Sequence, residues 1–133
     1  MNFEINNLTK ARIDKKFLKK VAQKTLRILS RNKLKTKEIS MVVVGDAKIK
    51  GLNKKYLNKS EVTDVLAFDY GEIFICLPQA KKQAKDLGHS LKQEIAILLI
   101  HGLLHLAGYN DESSKNYNIM LKKQNQIWEK IIL

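Results

Sequence analysis

The chain has 133 residues, enough for one domain with its own hydrophobic core and short for two. Lys and Arg number 25 against 13 Asp and Glu, a formal net charge of +12, while 44% of residues are hydrophobic. That apolar content excludes a disordered basic tail. Cys76 is the only cysteine, which excludes an intramolecular disulfide and fits a reducing compartment, so we expect no disulfide-linked partner. No signal-peptide pattern begins the sequence, and the longest apolar stretch (residues 95–107) is too short to span a bilayer. We therefore expect a cytoplasmic protein without membrane contact. We also expect one domain over residues 1–133.

The predicted elements follow one another without repeats or a Gly/Pro-rich linker. Short apolar segments, alternating or β-branched, predict four strands at residues 1–8, 39–44, 65–68 and 73–77. Helical spacing predicts five helices at residues 13–29, 47–57, 78–87, 91–107 and 117–132. Asp14, Asp46 and Ser90 are the predicted helix starts, and Gly88 and Gly108 are the predicted ends. This order predicts a single α+β domain.

The basic excess is confined to the first part of the chain. Residues 1–60 contain 17 Lys and Arg against 4 Asp and Glu, whereas residues 61–133 contain 8 against 9. Such asymmetry is typical of proteins that contact nucleic acid or another polyanion. A lysine-rich face that serves only solubility is the alternative, because charge alone does not identify a partner.

The most apolar predicted helix carries two histidines. His101 and His105 are four residues apart, which places them one turn apart on the same helical face. Counted from His101, His105 is at +4, Gly108 at +7 and Asp111 at +10, the spacing of the metzincin zinc signature. Gly108 lets the chain turn back towards the histidines. The spacing therefore predicts a metal site at the end of a core helix, with His101, His105 and Asp111 as its ligands.

Two positions differ from the metzincin signature. Asp111 stands in place of the third histidine, and its carboxylate is a competent zinc ligand. Gly102 stands in place of the glutamate that activates water in these proteases, so ordinary peptidase chemistry is disfavoured. Glu112 and His89 remain alternative third ligands. A metallohydrolase acting on a peptide or small molecule depends on the spacing alone, and Gly102 argues against it.

Glu94 lies seven residues before His101, two turns back on the same face of the helix. It either reaches solvent or, beside a metal, orients His101 or accepts a proton from water, which makes it the candidate catalytic residue. His89 follows Gly88 in a predicted loop and is expected to be exposed. Cys76 ends an apolar strand and is interpreted as a small core residue rather than a nucleophile.

Four blocks of the sequence occur in the order of one known family and together span about two-thirds of the chain. They are residues 39–56 (ISMVVVGD and IKGLNKKY), 63–68 (TDVLAF), 71–76 (GEIFIC) and 94–111, the histidine block. In these blocks the sequence resembles the YbeY family, zinc-dependent bacterial endoribonucleases of ribosomal RNA maturation and quality control. The resemblance implies a small mixed β-sheet of about four strands packed against about five α-helices.

The resemblance also implies a function. It implies a metal-dependent, single-strand-type endoribonuclease, with one Zn²⁺ per chain held by His101, His105 and Asp111. Such an ion polarises a phosphoryl oxygen or lowers the pKa of a bound water. The implied partners are ribosomal RNA and the small ribosomal subunit. Thr63 and Asp64 are expected to shape the RNA-binding cleft.

The sequence departs from the family pattern at positions that bear on activity. The family's third metal-binding histidine is Asp111 here, and the residue before it is Asn110 rather than Asp. The arginine that follows L-N-x-x-Y in the family is Leu57, so Lys59 is expected to contact RNA phosphate without the bidentate fork of arginine. These departures motivate a second hypothesis, a ribosome-associated RNA-binding assembly factor whose metal is mainly structural.

Overall fold

The computed structural model describes residues 2–29, 34 and 38–132, and these residues form a four-stranded sheet and five helices. The strands are β1 (Asn2–Asn7), β2 (Glu38–Val44), β3 (Val65–Phe68) and β4 (Glu72–Cys76). The helices are α1 (Lys15–Leu29), α2 (Asp46–Leu57), α3 (Leu77–Leu87), α4 (Leu91–Leu106) and α5 (Ser114–Ile132). The prediction of an α+β fold with about four strands and five helices is confirmed.

The sheet is mixed, with strand order β1-β2-β4-β3. β1 pairs with β2 and β2 with β4 in parallel, whereas β3 and β4 form an antiparallel hairpin. The hairpin turn ends at Gly71, whose φ of +110° is accessible to glycine at no steric cost. β3 is therefore an edge strand, and it lies next to β4 rather than next to the strand that precedes it.

Helices cover both faces of the sheet, which is why β2 and β4 are almost continuously apolar. Because side chains alternate along a strand, Met41, Val43, Ile73 and Ile75 join a large core with α1, α4 and α5 on the inner face. The alternate strand residues face outward and pack with Ile49 of α2 in a second cluster: Val42, Val44, Leu66, Phe74 and Cys76. No helix among the described residues is long and apolar enough to cross a membrane.

α4 is the central helix of the inner layer. Ser90 begins it with a capping box, in which its hydroxyl accepts from Gln93 N at 3.1 Å while the Gln93 side chain accepts from Ser90 N at 3.0 Å. A Cβ atom added to Gly102 would lie 2.6 Å from Cγ2 of the fully buried Ile73 on β4. The glycine therefore lets α4 approach the sheet closely, which fixes the position of the histidines on either side of it.

Several predicted boundaries shift in the structure. Met1 lies outside the described residues, and β1 ends at Asn7, before the exposed Leu8. Asp14 begins α1 as predicted, with its Oδ1 accepting from Phe17 N at 3.0 Å. The prediction that Asp46 caps α2 is wrong, because Gly45 is the N-cap and Asp46 is the first helical residue. Asp46 Oδ1 instead accepts from Cys76 Sγ at 3.1 Å.

Candidate metal centre

The two histidines of α4 converge as their spacing predicts. Nε2 of His105 lies 3.2 Å from Nε2 of His101, and both side chains are partly buried. On its other side, Nδ1 of His101 lies 2.8 Å from Oε1 of Gln124 on α5. One ring is therefore held from a neighbouring helix, and the Nε2 atoms of the two rings face each other at hydrogen-bond distance.

The bond to Gln124 determines the tautomer of His101. An amide oxygen only accepts, so Nδ1 of His101 carries the hydrogen, and Nε2 of the neutral ring presents a lone pair. Metal-binding histidines are typically held in this way, with the second ring nitrogen donating to an oxygen. Two nitrogens bound at about 2.0–2.1 Å to one tetrahedral zinc lie about 3.3 Å apart. The 3.2 Å between the two Nε2 atoms, which is also a hydrogen-bond distance, matches that separation, so the pair fits two ligands of a zinc ion once neither Nε2 carries a hydrogen.

Asp111 approaches the histidines without completing the set. It lines the same cavity as His101. Burial and then His101 lower the pKa of His105, and the charge of Asp111 opposes this lowering only in part. Both Asp111 and Glu112 are exposed. Within residues 2–29, 34 and 38–132, no group of three or more His, Cys, Asp or Glu side chains is arranged to hold a metal ion. The structure thus assembles two of the predicted ligands, and the third stays a prediction.

A cavity of about 490 Å³ opens beside His101. Its titratable lining consists of three carboxylates, two imidazoles and one phenol, from Asp64, Glu94, Asp111, His89, His101 and Tyr117. No Lys or Arg of the described chain lines it. A phosphate group entering this cavity would meet carboxylates with no permanent cation opposite them, which is electrostatically unfavourable. The donor chemistry of the site therefore fits a bound cation.

Glu94 has a partner that the sequence did not suggest. Its side chain is buried, with 3% of the residue exposed, and its Oε1 lies 2.7 Å from Nε2 of His89. The solvent-facing interpretation of Glu94 is therefore wrong, and so is the exposed interpretation of His89, which is partly buried. A carboxylate accepts, so Nε2 of His89 carries a hydrogen and Nδ1 is the second, unshared ring nitrogen. Both side chains line the cavity.

The predicted RNA-binding residues separate into two groups. Asp64 lines the cavity, and its two carboxylate oxygens accept from Val65 N at 2.8 Å and from Gln83 Nε2 at 3.0 Å. Thr63 is partly buried beside it, with its hydroxyl 3.4 Å from Asp64 Oδ1. Lys59 is exposed and is not part of the cavity lining, so the structure does not bring it together with the histidines.

Gln124 is the functional residue that sequence reasoning missed. It lies between Met120 and Ile127, the two buried residues of α5, at +4 and −3 from them. A polar side chain on the buried face of an amphipathic helix usually has a specific partner. That signal could have identified Gln124, although not His101 as its partner.

The chain is similar to proteins of known family along most of its length. A profile of the family described as Endoribonuclease YbeY matches residues 4–132. Two relatives named Endoribonuclease YbeY, from Sulfurihydrogenibium sp. and Persephonella marina, are 37% and 39% identical, each over 90% of this chain and 84% of the relative. A third relative of the same name, from Phytoplasma australiense, is 36% identical over 100% of this chain and 97% of the relative. The solution structure of TM1509 from Thermotoga maritima superposes with a TM-score of 0.67 at 28% identity, covering 97% of this chain and 88% of that one.

Proposed function

The chain belongs to the endoribonuclease YbeY family, and on that premise we propose that it is a metal-dependent endoribonuclease that cleaves ribosomal RNA. The role in an endoribonuclease family follows from the comparisons. The metal dependence, the single-stranded ribosomal substrate, and a role in ribosomal RNA maturation and quality control at the small ribosomal subunit are the proposal. The histidine pair of α4, with nitrogens 3.2 Å apart and one ring fixed by Gln124, is the observation that carries it.

His101 and His105 would hold the metal through Nε2, with Asp111 as the third ligand. Asp111 is the preferred candidate because it lines the same cavity and acts electrostatically on His105, whereas Glu112 lies outside that cavity. His89 is less suited, since its Nε2 is already bonded to Glu94. A bound zinc ion would supply Lewis acidity at a phosphoryl oxygen.

Glu94 supports this chemistry as a proton-accepting group that acts together with His89. Buried carboxylates paired with an imidazole fix the tautomer and orientation of the ring, as in hydrolase triads. Glu94 is buried and itself lines the cavity, where its Oε1 bonds to Nε2 of His89. We assign Glu94 the role of orienting His89, which then accepts or donates a proton at Nδ1 near the reacting phosphate.

RNA binding would use both the cavity wall and the basic first part of the chain. Asp64 and Thr63 shape the wall, and Gln83 holds the Asp64 carboxylate in place. Lys59 contributes charge from outside the cavity, together with the excess of 17 Lys and Arg over 4 Asp and Glu in residues 1–60. Contacts of this kind to phosphates make RNA affinity fall as salt rises.

The decisive experiment measures metal content and RNA cleavage on the same protein samples. The wild-type protein should purify with about one zinc per chain and should cleave a single-stranded ribosomal RNA fragment. His101→Ala and His105→Ala should lose both properties. Gln126→Ala, an exposed change on α5 two residues from Gln124, is the matched control and should keep both. Undiminished cleavage by wild-type protein after chelation of its metal would contradict the proposed mechanism.

A second candidate function is an RNA-binding ribosome assembly factor with a mainly structural metal. It is favoured by Leu57, which is 50% exposed where the family has an arginine, and by the cavity lining without Lys or Arg. This function predicts salt-sensitive RNA binding, zinc bound by the histidines, and no cleavage. The same experiment separates the two functions, because the assembly factor would bind zinc without cleaving RNA. If the missing arginine is the reason, Leu57→Arg should create or strengthen cleavage without changing the zinc content.

A further inference from the structure

Three neighbouring aromatic rings lie on the outer side of the sheet, a partly buried one between two exposed ones. We call Tyr56, Phe68 and Tyr70 the aromatic platform. The rings of Tyr56 and Phe68 are 5.1 Å apart between centroids, and those of Phe68 and Tyr70 are 5.7 Å apart and nearly parallel, at 12°. Tyr56 is 50% and Tyr70 is 58% exposed, so two ring faces of the platform are accessible to a partner. Aromatic side chains exposed side by side are typical of a binding surface.

The platform is held in place by the fold. Phe68 packs edge-to-face on the buried Phe74 of β4, with 5.8 Å between centroids. At the other end, burial and the Glu72 carboxylate, which accepts a hydrogen bond from the phenol, raise the pKa of Tyr70 to about 12. The central ring and one outer ring are thus anchored to the hairpin, so a partner that stacks on them does not have to order them first.

Positive charge lies on one side of the platform. The exposed lysines of α2 and the residue range just after it are Lys48, Lys50, Lys54, Lys55 and Lys59, and Asp46 is the only carboxylate in the helix. Nζ of Lys55 lies 5.2 Å from the centroid of the Tyr56 ring. Carboxylates border the opposite, Tyr70 side: Glu4, Glu38 and Glu72 share a cavity with Tyr70, and Asp69 precedes it in the chain. A polyanion would therefore place its charges along α2 and its rings on the platform.

The platform and the histidine pair lie on the two sides of the edge strand β3. Ala67 of β3 is paired with Ile73 of β4, and Ile73 is the residue that Gly102 of α4 approaches on the inner face. Phe68, the next residue of β3, points to the outer face and belongs to the platform. A flexible strand that passes around the β3 edge can therefore contact the platform in front of the sheet and the histidine helix behind it.

We propose that the aromatic platform and the α2 lysines bind a short single-stranded RNA segment, which continues around β3 towards the histidine pair. Its bases stack on Tyr56 and Tyr70, and its phosphates contact Lys54 and Lys55. Stacking on exposed rings beside a basic groove is the general mode of single-strand recognition without sequence preference. Duplex RNA has its base faces occupied and cannot use the platform. This inference rests on the proposed function in that the bound strand is the one to be cleaved.

Binding is tested without cleavage, by fluorescence anisotropy of a labelled oligouridylate in the presence of a chelator. Tyr56→Leu and Tyr70→Leu keep an apolar side chain and remove the aromatic face. Each should weaken binding roughly tenfold, the effect of losing one stacked base, whereas Tyr70→Phe should bind like the wild type. Thermal unfolding of each variant verifies the fold. Because Tyr70 is 58% exposed, its variants keep the test decisive even where Tyr56→Leu is unstable.

The charge contribution needs a matched control. The double variant Lys54→Ala/Lys55→Ala should weaken binding and reduce the slope of log affinity against log salt. Lys122→Ala/Lys130→Ala removes the same charge from the exposed side of α5, which packs against the inner face and lies outside the basic residues 1–60, and should leave affinity within about twofold. Equal effects of the two double variants would show that binding follows net charge alone and would overturn the proposal.

Two further outcomes would also overturn it: wild-type affinity in both tyrosine variants, or tighter binding of an acidic peptide than of oligouridylate at the platform. Cross-linking of a 4-thiouridine RNA to the peptides containing Tyr56 and Tyr70 supports it directly. The proposed function fails in a different way, by the absence of zinc-dependent cleavage in the wild type. If the chain binds oligouridylate at the platform but does not cleave it, the result supports binding at the platform and contradicts the proposed nuclease function.

Discussion

Gly102 shows how a single residue sets the geometry of the histidine pair. In the sequence it is the position where a metalloprotease would carry its glutamate, and in the structure its Cα faces β4 rather than the cavity. A glutamate side chain at this position would clash with the buried Ile73. The absence of that general base is therefore a consequence of packing, because α4 lies too close to the sheet for any side chain there.

Gly102→Ala should lower the free energy of unfolding by about 1–3 kcal/mol, because the added methyl group would lie 2.6 Å from Cγ2 of Ile73. Urea denaturation measures the change. Ile73→Ala removes the clashing methyl groups at the cost of a cavity, and the double variant should be destabilised by less than the sum of the two single changes. Additive effects would show that the two residues do not contact each other as the structure indicates.

The single residue Cys76 makes a pH-dependent contribution to the stability of the folded state. Burial, with the Asp46 carboxylate that accepts from the thiol, raises the pKa of Cys76 to about 12, against about 8.5 in an unfolded chain. The folded state therefore favours the neutral thiol, and the associated stability is complete below about pH 8.5 and is lost as pH rises towards 12. At pH 8 the native protein should not react with an aromatic disulfide reagent, whereas the unfolded protein should react with one equivalent. Rapid reaction of the native thiol would contradict this assignment.

At the scale of elements, the site depends on the contact between α4 and α5. The two histidines come from one turn of α4, but the tautomer of His101 is determined by Gln124 from α5. If the histidine pair holds the proposed metal, the relation between the two helices would therefore affect metal affinity, although α5 supplies none of the predicted ligands.

Gln124→Leu should weaken zinc binding by about 10- to 100-fold, the usual effect of removing a group that orients a metal-binding histidine. Competition with a zinc-binding dye measures the affinity. Gln126→Leu, an exposed change on the same helix, is the control and should bind zinc like the wild type. Gln124→Glu, which still accepts from Nδ1, should restore most of the affinity, and a failure of this rescue would exclude the orienting role.

The ends of helices could be predicted from the sequence, whereas the contacts between residues of different elements could not. Ser90 begins α4 and Gly88 ends α3 with a φ of +73°, because both signals are properties of a residue and its immediate neighbours. The pairing of β3 with β4 follows from a tight turn, but the position of β2 between β1 and β4 depends on long-range packing. The bonds of Glu94 with His89 and of His101 with Gln124 were missed for that reason, since periodicity gives a face and not a partner.

At the scale of the whole molecule, the charge of +12 and the proposed reaction centre occupy different places. The described lysines of α1 and α2 are on the surface, whereas the cavity beside His101 is lined by carboxylates and imidazoles. On the proposed function, phosphate affinity and phosphate chemistry would therefore be separable in this chain, and a bound cation would be needed only for the chemistry.

Zinc should stabilise the whole domain if the histidine pair holds it. A ligand at 100 times its dissociation constant stabilises the folded state by about 2.7 kcal/mol, which corresponds to several degrees in Tm for a chain of this size. Differential scanning fluorimetry of chelated protein with and without added zinc measures the shift. His105→Ala should abolish it, and Gln126→Ala should not. An unchanged Tm in the wild type would mean that the described fold does not bind zinc tightly.

The parallel pairing of the strands also affects how fast the histidine site forms during folding. Asn2 pairs with Glu38 and Ser40 pairs with Glu72, so the β1–β2 and β2–β4 contacts close long loops, whereas the β3–β4 hairpin and the histidine turn are local. Contacts of large sequence separation slow folding. The hairpin and α4 should consequently order first in refolding, and the close fit of Gly102 on Ile73 should come only with the complete sheet. Metal affinity would then rise in two kinetic phases, which stopped-flow refolding in the presence of a zinc dye can resolve.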